Sequence, residues 1–182
     1  MAKLIEINKS IPTLRYFGAT SAPISENLRK EFKSKINPNL FIIYATNETG
    51  TITVLPPSNG IHTKNSVGRP TANIEIEVVD ANGDVQLNGK AGEIKVLVPG
   101  AISSYLNNPD LTTTFFKKGW FYPGDIGLID SKGDLIFLGR KDDMMIFDGI
   151  NIYPSEIENI LFSHPAVDEA AAFPLRHNQF KD

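Results

Sequence analysis

Apolar residues fall along the chain in short runs punctuated by Gly and Pro, and two different periods follow one another. Leu14 to Gly18 reads as a short apolar strand. Ser25 can cap a helix from Glu26 to Lys33, with Leu28 and Phe32 four apart on one face. Leu40 to Tyr44 is an unbroken apolar run, the pattern of a strand buried on both faces. Strand, helix, strand in this order predicts the end of an α/β layer.

From about Pro56 strict alternation takes over. Ile74, Ile76 and Val78 alternate with Asn73, Glu75 and Glu77, and Ile94, Val96 and Val98 repeat the pattern. Phe121 to Asp130 and Leu135 to Leu138 predict two more strands, joined by Ser131-Lys-Gly-Asp134. Such spacing favours antiparallel meanders. Near Arg140 the character changes again. Phe147-Asp-Gly149 is a hairpin turn signal. Ser155 and Glu158 predict a capping box after Pro154, with Ile157, Ile160 and Leu161 as the buried face. Val167 to Phe173 predicts one further strand, followed by a polar stretch from Arg176 to Asp182. One short helix and one strand cannot bury a core alone, so this last region reads as cut short. The expected fold class is therefore α+β. The remnant of an α/β subdomain (1–57) leads into an antiparallel β-rich subdomain (58–140), then into the start of a small α+β C-terminal domain (141–182).

Composition narrows the classes of function. Of 182 residues, 41% are apolar and 21% charged, which excludes disorder over most of the length. Eighteen Lys and Arg against 21 Asp and Glu leave a net charge of -3, against a nucleic-acid partner. There is no cysteine, hence no disulfide, thiolate zinc site or Cys nucleophile. No apolar run approaches a bilayer span, and the polar N-terminus is not a secretory signal. The expected location is cytoplasmic. His62, His164 and His177 show no metal spacing. Gly83 to Lys90 looks like a phosphate loop, but five residues separate its glycines and Ala91 follows the lysine, so it reads as a β turn.

Three stretches carry a resemblance: Tyr44-Ala-Thr-Asn-Glu48, Gly119-Trp-Phe-Tyr-Pro-Gly-Asp-Ile-Gly127, and the long run from Gly139 to Glu158. Val67-Gly-Arg-Pro70, Gly92-Glu-Ile94 and Ser163-His-Pro-Ala-Val167 lie between or beyond them. In this order and spacing they resemble the class I adenylate-forming enzymes: acyl- and aryl-CoA synthetases, peptide-synthetase adenylation domains and luciferases. The run Asn151-Ile-Tyr-Pro-Ser-Glu-Ile-Glu158 is most similar to the CoA synthetases. The resemblance implies a reaction in which a carboxylic acid and ATP give acyl-AMP and pyrophosphate, after which the acyl group passes to CoA.

The resemblance also implies roles. Glu48 would hold Mg²⁺, a hard cation suited to a carboxylate. Tyr44 would pack on the adenine of ATP or AMP. Asn47 stands where the family places a hydroxyl toward the α-phosphate; its amide can still donate there. Asp125 would accept from the ribose hydroxyls, and Arg140 would reach ribose or phosphate. Asp142 matches the hinge on which the small domain turns, and Gly149 the glycine that lets the CoA arm pass. Ser21 and Ala22 lie in Thr20-Ser-Ala-Pro-Ile-Ser25, similar to a family segment at the acyl pocket. Thr20 and Ser21 replace two family glycines there, and Ala45 and Pro123 replace a common Gly and Thr.

Two family features are absent from these 182 residues: the Ser/Thr/Gly-rich phosphate loop and the C-terminal catalytic lysine. The expectation is an internal fragment, without a catalytic residue of its own, inactive alone and prone to self-association. The expected partners are a small carboxylic acid and CoA. Two alternatives stand beside this: an acyl-AMP ligase that loads a carrier protein, and a non-catalytic interaction module built on an orphaned fold.

Overall fold

The computed structural model describes residues 1–7, 9–22, 24–57, 63–162, 164, 166–167 and 169–174. His62, His177 and the 176–182 stretch lie outside the described residues, as do parts of the 163–167 motif.

Helix α1 (Ala2–Ile7) precedes strand β1 (Phe17–Ala19), helix α2 (Glu26–Lys35) and strands β2 (Leu40–Thr46) and β3 (Gly50–Leu55). Strands β4 (Ser66–Pro70), β5 (Glu75–Val79) and β6 (Gly92–Leu97) follow, then helix α3 (Pro109–Phe115). Short strands β7 (Phe116–Lys117) and β8 (Trp120–Phe121) lead to β9 (Asp125–Ile129) and β10 (Leu135–Arg140). A hairpin, β11 (Met145–Phe147) and β12 (Ile150–Ile152), and helix α4 (Pro154–Leu161) complete the order. One sheet runs β1-β2-β3-β4-β10-β9-β6-β8-β7, with β5 added on β6. Among the described residues only β1 and β2 pair in parallel; the other ladders are antiparallel. The α+β class is as expected.

Local sequence explains most elements. Ser25 Oγ accepts from the Leu28 amide at 3.3 Å, which satisfies one free N–H of the first turn of α2. The helix buries Phe32 completely and runs two residues past its expected end. The hairpin joining β11 and β12 turns through Asp148 and Gly149, both at positive φ, as an Asp-Gly turn requires.

Two cores form. Ile5, Phe32, Ile36, Leu40 and Ile42 build one under the first strands. Ile52, Ile94, Val96, Phe121 and Leu135 build the other within the β-rich part. Val67 packs against both, and β3 pairs with β2 on one side and β4 on the other, so the sheet is continuous past residue 57.

Several expectations need correction. The first strand is Phe17–Ala19, shorter and later than Leu14 to Gly18, because 12–13 form a turn and Asn37 Nδ2 captures the carbonyls of Ile11 and Leu14 at 2.7 and 2.9 Å. In β2, Leu40 and Ile42 are buried while Phe41, Ile43 and Tyr44 are half-buried, so its two faces are unequal. Phe121 to Asp130 is two strands, broken at 122–124 where Gly124 has φ of 77°. The capping box does not form. Tyr153 is the N-cap of α4 and makes no side-chain cap bond. Ser155 Oγ instead donates to the Leu138 carbonyl, and Glu158 Oε1 accepts from the Ala172 amide at 3.0 Å. Tertiary contacts thus take both side chains away from the helix start. Ile157 and Leu161 stand exposed, and the described residues of 167–173 form no strand. Strands β3 and β4 and helices α1 and α3 were not foreseen.

Candidate functional site

The loop between β2 and β3 is a tight turn over 47–49. Thr46 Oγ1 accepts from the Thr49 amide at 3.2 Å, and Gly50 leaves the turn at φ of 69°. This turn holds Asn47 and Glu48 at the end of the ladder that carries Tyr44. On the far side of the sheet path, antiparallel register sets Arg140 of β10 directly opposite Asp125 of β9. Arg140 Nη1 donates to Asp125 Oδ1 at 2.9 Å and to the Pro123 carbonyl at 2.7 Å.

Tyr44 joins these two regions. Its hydroxyl donates to Asp125 Oδ2 at 2.5 Å. In the sheet order three strands separate β2 from β9. At about 4.8 Å per strand a flat sheet would hold them far beyond a tyrosine's reach, so the sheet must curl back on itself. The curl makes a cleft with Asp125 on its floor.

Asp125 is only 4% exposed. Burial raises its pKa, and the Tyr44 hydroxyl and the Arg140 guanidinium pull the other way. Burial also raises the Tyr44 pKa, and the neighbouring Asp125 charge adds to that rise. Both shifts follow from placing polar groups in low dielectric beside one another. Glu48 Oε1 accepts from the Tyr105 hydroxyl at 2.8 Å, and its backbone carbonyl accepts from the Ile102 amide at 3.0 Å. Burial, with the Glu48 hydrogen bond next, pushes the Tyr105 pKa up to about 12.

The cleft has two cavities. The larger, about 520 Å³, is lined by Thr20, Ser21, Asn47, Glu48, Tyr105, Asp125 and Arg140, among others. The smaller, about 200 Å³, is lined by Ser21, Ala22, Ile24, Arg29, Tyr44, Phe137, Asp125 and Arg140, among others. Asp125 and Arg140 are shared, Asn47 and Glu48 face only the larger, and Tyr44 and Ala22 only the smaller.

Tyr44, Asn47, Glu48, Asp125, Arg140, Ser21 and Ala22 therefore converge. Asp142 lies apart, in a neighbouring cavity that it shares with Arg140, Ser155 and Glu158. Gly149 is further away at an exposed hairpin tip, where a Cβ would meet nothing within 4 Å. Sequence reasoning missed Tyr105 and Arg29. Neither sits in a spaced motif; Tyr105 is 57 positions from the glutamate it holds. Among the described residues no three His, Cys, Asp or Glu gather as a metal cage. Among the described residues the larger cavity has two carboxylates, Glu48 and Asp125; Asp125 is paired with Arg140, and Glu48 suits a cation that keeps water and phosphate ligands.

The α+β fold with its large, mostly antiparallel sheet matches part of the adenylate-forming enzyme fold. The chain belongs to the AMP-binding enzyme family, whose model matches residues 2–106. It is 36% identical over 159 residues to a 2-succinylbenzoate–CoA ligase of Geobacillus sp. (strain WCH70), covering 87% of this chain and 32% of that protein. It is 34% identical over 166 residues to the fatty acid–[acyl-carrier-protein] ligase ScoC of Streptomyces coeruleorubidus, covering 89% of this chain and 32% of that protein. Among solved structures it matches the O-succinylbenzoate CoA synthetase MenE of Bacillus subtilis in complex with ATP and magnesium ion. That match has a TM-score of 0.87 at 33% identity, over 97% of this chain and 37% of that one. The chain spans about a third of the length of the curated relatives it matches. No helix among the described residues is long and apolar enough to cross a membrane.

Proposed function

We propose that this chain is the part of an ATP-dependent acyl- or aryl-CoA synthetase that grips the nucleoside end of ATP. The observation that carries the reading is the order of groups along the cleft. Glu48 and Asn47 stand at one end, Asp125 with Arg140 in the middle, and Tyr44 at the other. A nucleotide has the same order: phosphates, ribose, base. Asp125 accepts from ribose hydroxyls with the carboxylate that Tyr44 and Arg140 orient. Tyr44 lies against the base. The Asn47 amide donates to the α-phosphate, and Arg140 offers its remaining N–H groups to ribose or phosphate. Glu48, held by Tyr105, is the carboxylate that would hold Mg²⁺ together with phosphate oxygens and water. Bound there, such an ion would neutralise charge on the triphosphate.

In the whole protein the carboxylate oxygen of the acid attacks the α-phosphorus, pyrophosphate leaves, and acyl-AMP forms. The thiol of CoA then attacks the acyl carbonyl and AMP leaves. The acid lies against Ser21 at the junction of the two cavities, with Ala22 beside it in the smaller one. Asp142 serves as the hinge between the large domain, which runs to residue 140, and the small one, which begins at 141, and Gly149 lines the path of CoA. A thiol on a carrier protein is the second reading for the acceptor, favoured by the similarity to ScoC. Products of the parent enzyme with ATP, acid and either thiol, read by mass spectrometry, separate the two.

As a polypeptide of these 182 residues the chain orients one end of ATP and does not make acyl-AMP. Holding both reactants in line is worth about 7–11 kcal/mol of a barrier, and the grip described covers only one of them. The test has two parts. AMP should bind in the millimolar range, about -4 kcal/mol. Asp125→Ala should weaken that binding by roughly 1.5–3 kcal/mol, through loss of charge-assisted bonds. Acid-dependent exchange of labelled pyrophosphate into ATP should stay at background. Exchange that disappears in Glu48→Ala would overturn the claim of inactivity, and AMP binding indifferent to Asp125 would overturn the nucleotide reading.

A further inference from the structure

Arg29 is a buried arginine that the reaction above does not use. It is 8% exposed, on α2, and it lines the smaller cavity together with Tyr44, Ala22 and Ile24. Two backbone carbonyls fix its guanidinium. Nε donates to Ile24 at 3.0 Å and Nη1 to Ser66 at 3.0 Å. Glu26 lies 3.5 Å from the same Nη1 and offsets part of the charge. Nη2 takes no part in any of these contacts. Every side-chain nitrogen or oxygen sealed from solvent among the described residues has a hydrogen-bond partner. Nη2 is therefore not sealed, and Arg29 is one of the residues that line the smaller cavity.

A planar donor pinned by two carbonyls has little rotamer freedom left to lose, so a bond from Nη2 carries little further entropic cost. What it can meet depends on what enters beside Tyr44. On the reading above, that is the base of the nucleotide. A purine presents ring nitrogens as acceptors at its edge while its faces are apolar. The cavity offers the matching surfaces: an aromatic ring in Tyr44, an apolar wall in Ile24, and the Arg29 guanidinium, the second one there being that of Arg140, which Asp125 and the Pro123 carbonyl already hold.

We propose that Arg29 is a base-recognition residue, whose Nη2 donates to a ring nitrogen of the adenine that lies against Tyr44. This rests on the nucleotide reading of the cleft and deepens it. Arg29 adds a polar, directional contact to what is otherwise a stacking site. It also joins base binding to the fold, because the same guanidinium ties α2 to the Ser66 carbonyl of β4.

The test uses the 182-residue chain and a panel of 1-deaza-, 3-deaza- and 7-deaza-AMP beside AMP, titrated by NMR. Removing the one nitrogen that Nη2 meets should weaken binding about tenfold, the loss of one hydrogen bond to a charged donor, while the other two analogues bind like AMP. In Arg29→Gln, AMP should weaken by a similar factor and the sensitive analogue should weaken no further. The wild-type panel stands even where Arg29→Gln fails to fold. Three analogues that all bind within twofold of AMP, or an analogue loss that persists in Arg29→Gln, would overturn the assignment to Arg29. AMP binding unaffected by Asp125→Asn would overturn the nucleotide reading and this proposal with it.

Discussion

The Tyr44 hydroxyl donates to Asp125 Oδ2 at 2.5 Å across 81 positions of sequence, and so fixes the buried carboxylate at the centre of the cleft. The pair has a consequence for stability against pH. Burial, and then the Asp125 charge, hold the Tyr44 pKa above its ordinary value of 10.0. The folded chain therefore keeps a proton that the unfolded chain loses above pH 10, and stability must fall as pH rises past that point. Melting temperatures taken from pH 9 upward should decline, and Tyr44→Phe should flatten the decline. An unchanged slope in the variant would remove Tyr44 as its source. Asp125, also raised by burial, has the same sign in the acid range: its contribution is full below 3.8 and lost as pH climbs through the folded value.

The Tyr105 hydroxyl donates to Glu48 at 2.8 Å within the larger cavity. If Glu48 takes a divalent ion with ATP, Mn²⁺ used as a paramagnetic probe should broaden amide signals of 46–48 only when ATP is present. Glu48→Gln should abolish that broadening. Tyr105→Phe should weaken it by about threefold to tenfold, the worth of one positioning hydrogen bond. Broadening that survives Glu48→Gln would place the ion elsewhere.

Gly68 in β4 has φ of 88°, and a Cβ there would sit 2.1 Å from the Val54 carbonyl oxygen. That oxygen belongs to the adjacent strand and cannot move without breaking the ladder. Gly68→Ala should cost about 3 kcal/mol or more, strain and clash together. Gly83 has nearly the same φ of 87° with nothing within 4 Å. Gly83→Ala should cost only about 1 kcal/mol, for backbone strain alone. Chemical denaturation of both variants checks this, and equal losses would mean the strand contact does not decide.

Apolar side chains stand exposed on the hairpin and the segment that follows: Ile146, Phe147, Ile150 and Phe173 are each more than 60% exposed. Exposed apolar groups gathered in this way favour association. The isolated chain should self-associate at high concentration. Phe147→Asp with Ile150→Lys should restore a monomer without lowering the melting temperature. Light scattering decides, and a clean monomer in the unmodified chain would refute the expectation. The surface at issue is the 145–173 region rather than the first strands, where β1 presents only three residues at the sheet edge.

Much of this protein was legible in its residue pattern, because the relevant physics is local. Period-two alternation placed β5 and β6, since a strand with one buried face needs that period. Ser25 marked the start of α2, and Asp148-Gly149 the β11–β12 turn, because capping and positive φ are demands on single residues. Three motifs pointed to the family and to five of the residues that line the cleft, and the Thr20–Ser25 segment to two more, Ser21 and Ala22. The structure alone decided how those residues meet. Register set Arg140 opposite Asp125, and sheet curvature carried Tyr44 across three intervening strands to the same carboxylate. Neither is written in any window of sequence, because both depend on strand pairing over long separations. Tertiary structure also overruled the local signal at Ser155 and Glu158. A hydroxyl and a carboxylate that could cap their own helix are taken by Leu138 and Ala172, since each side chain can satisfy only the partner that packing brings to it. Arg29 and Tyr105 were invisible for the same reason: each acts on the cleft through partners that only the folded chain brings near.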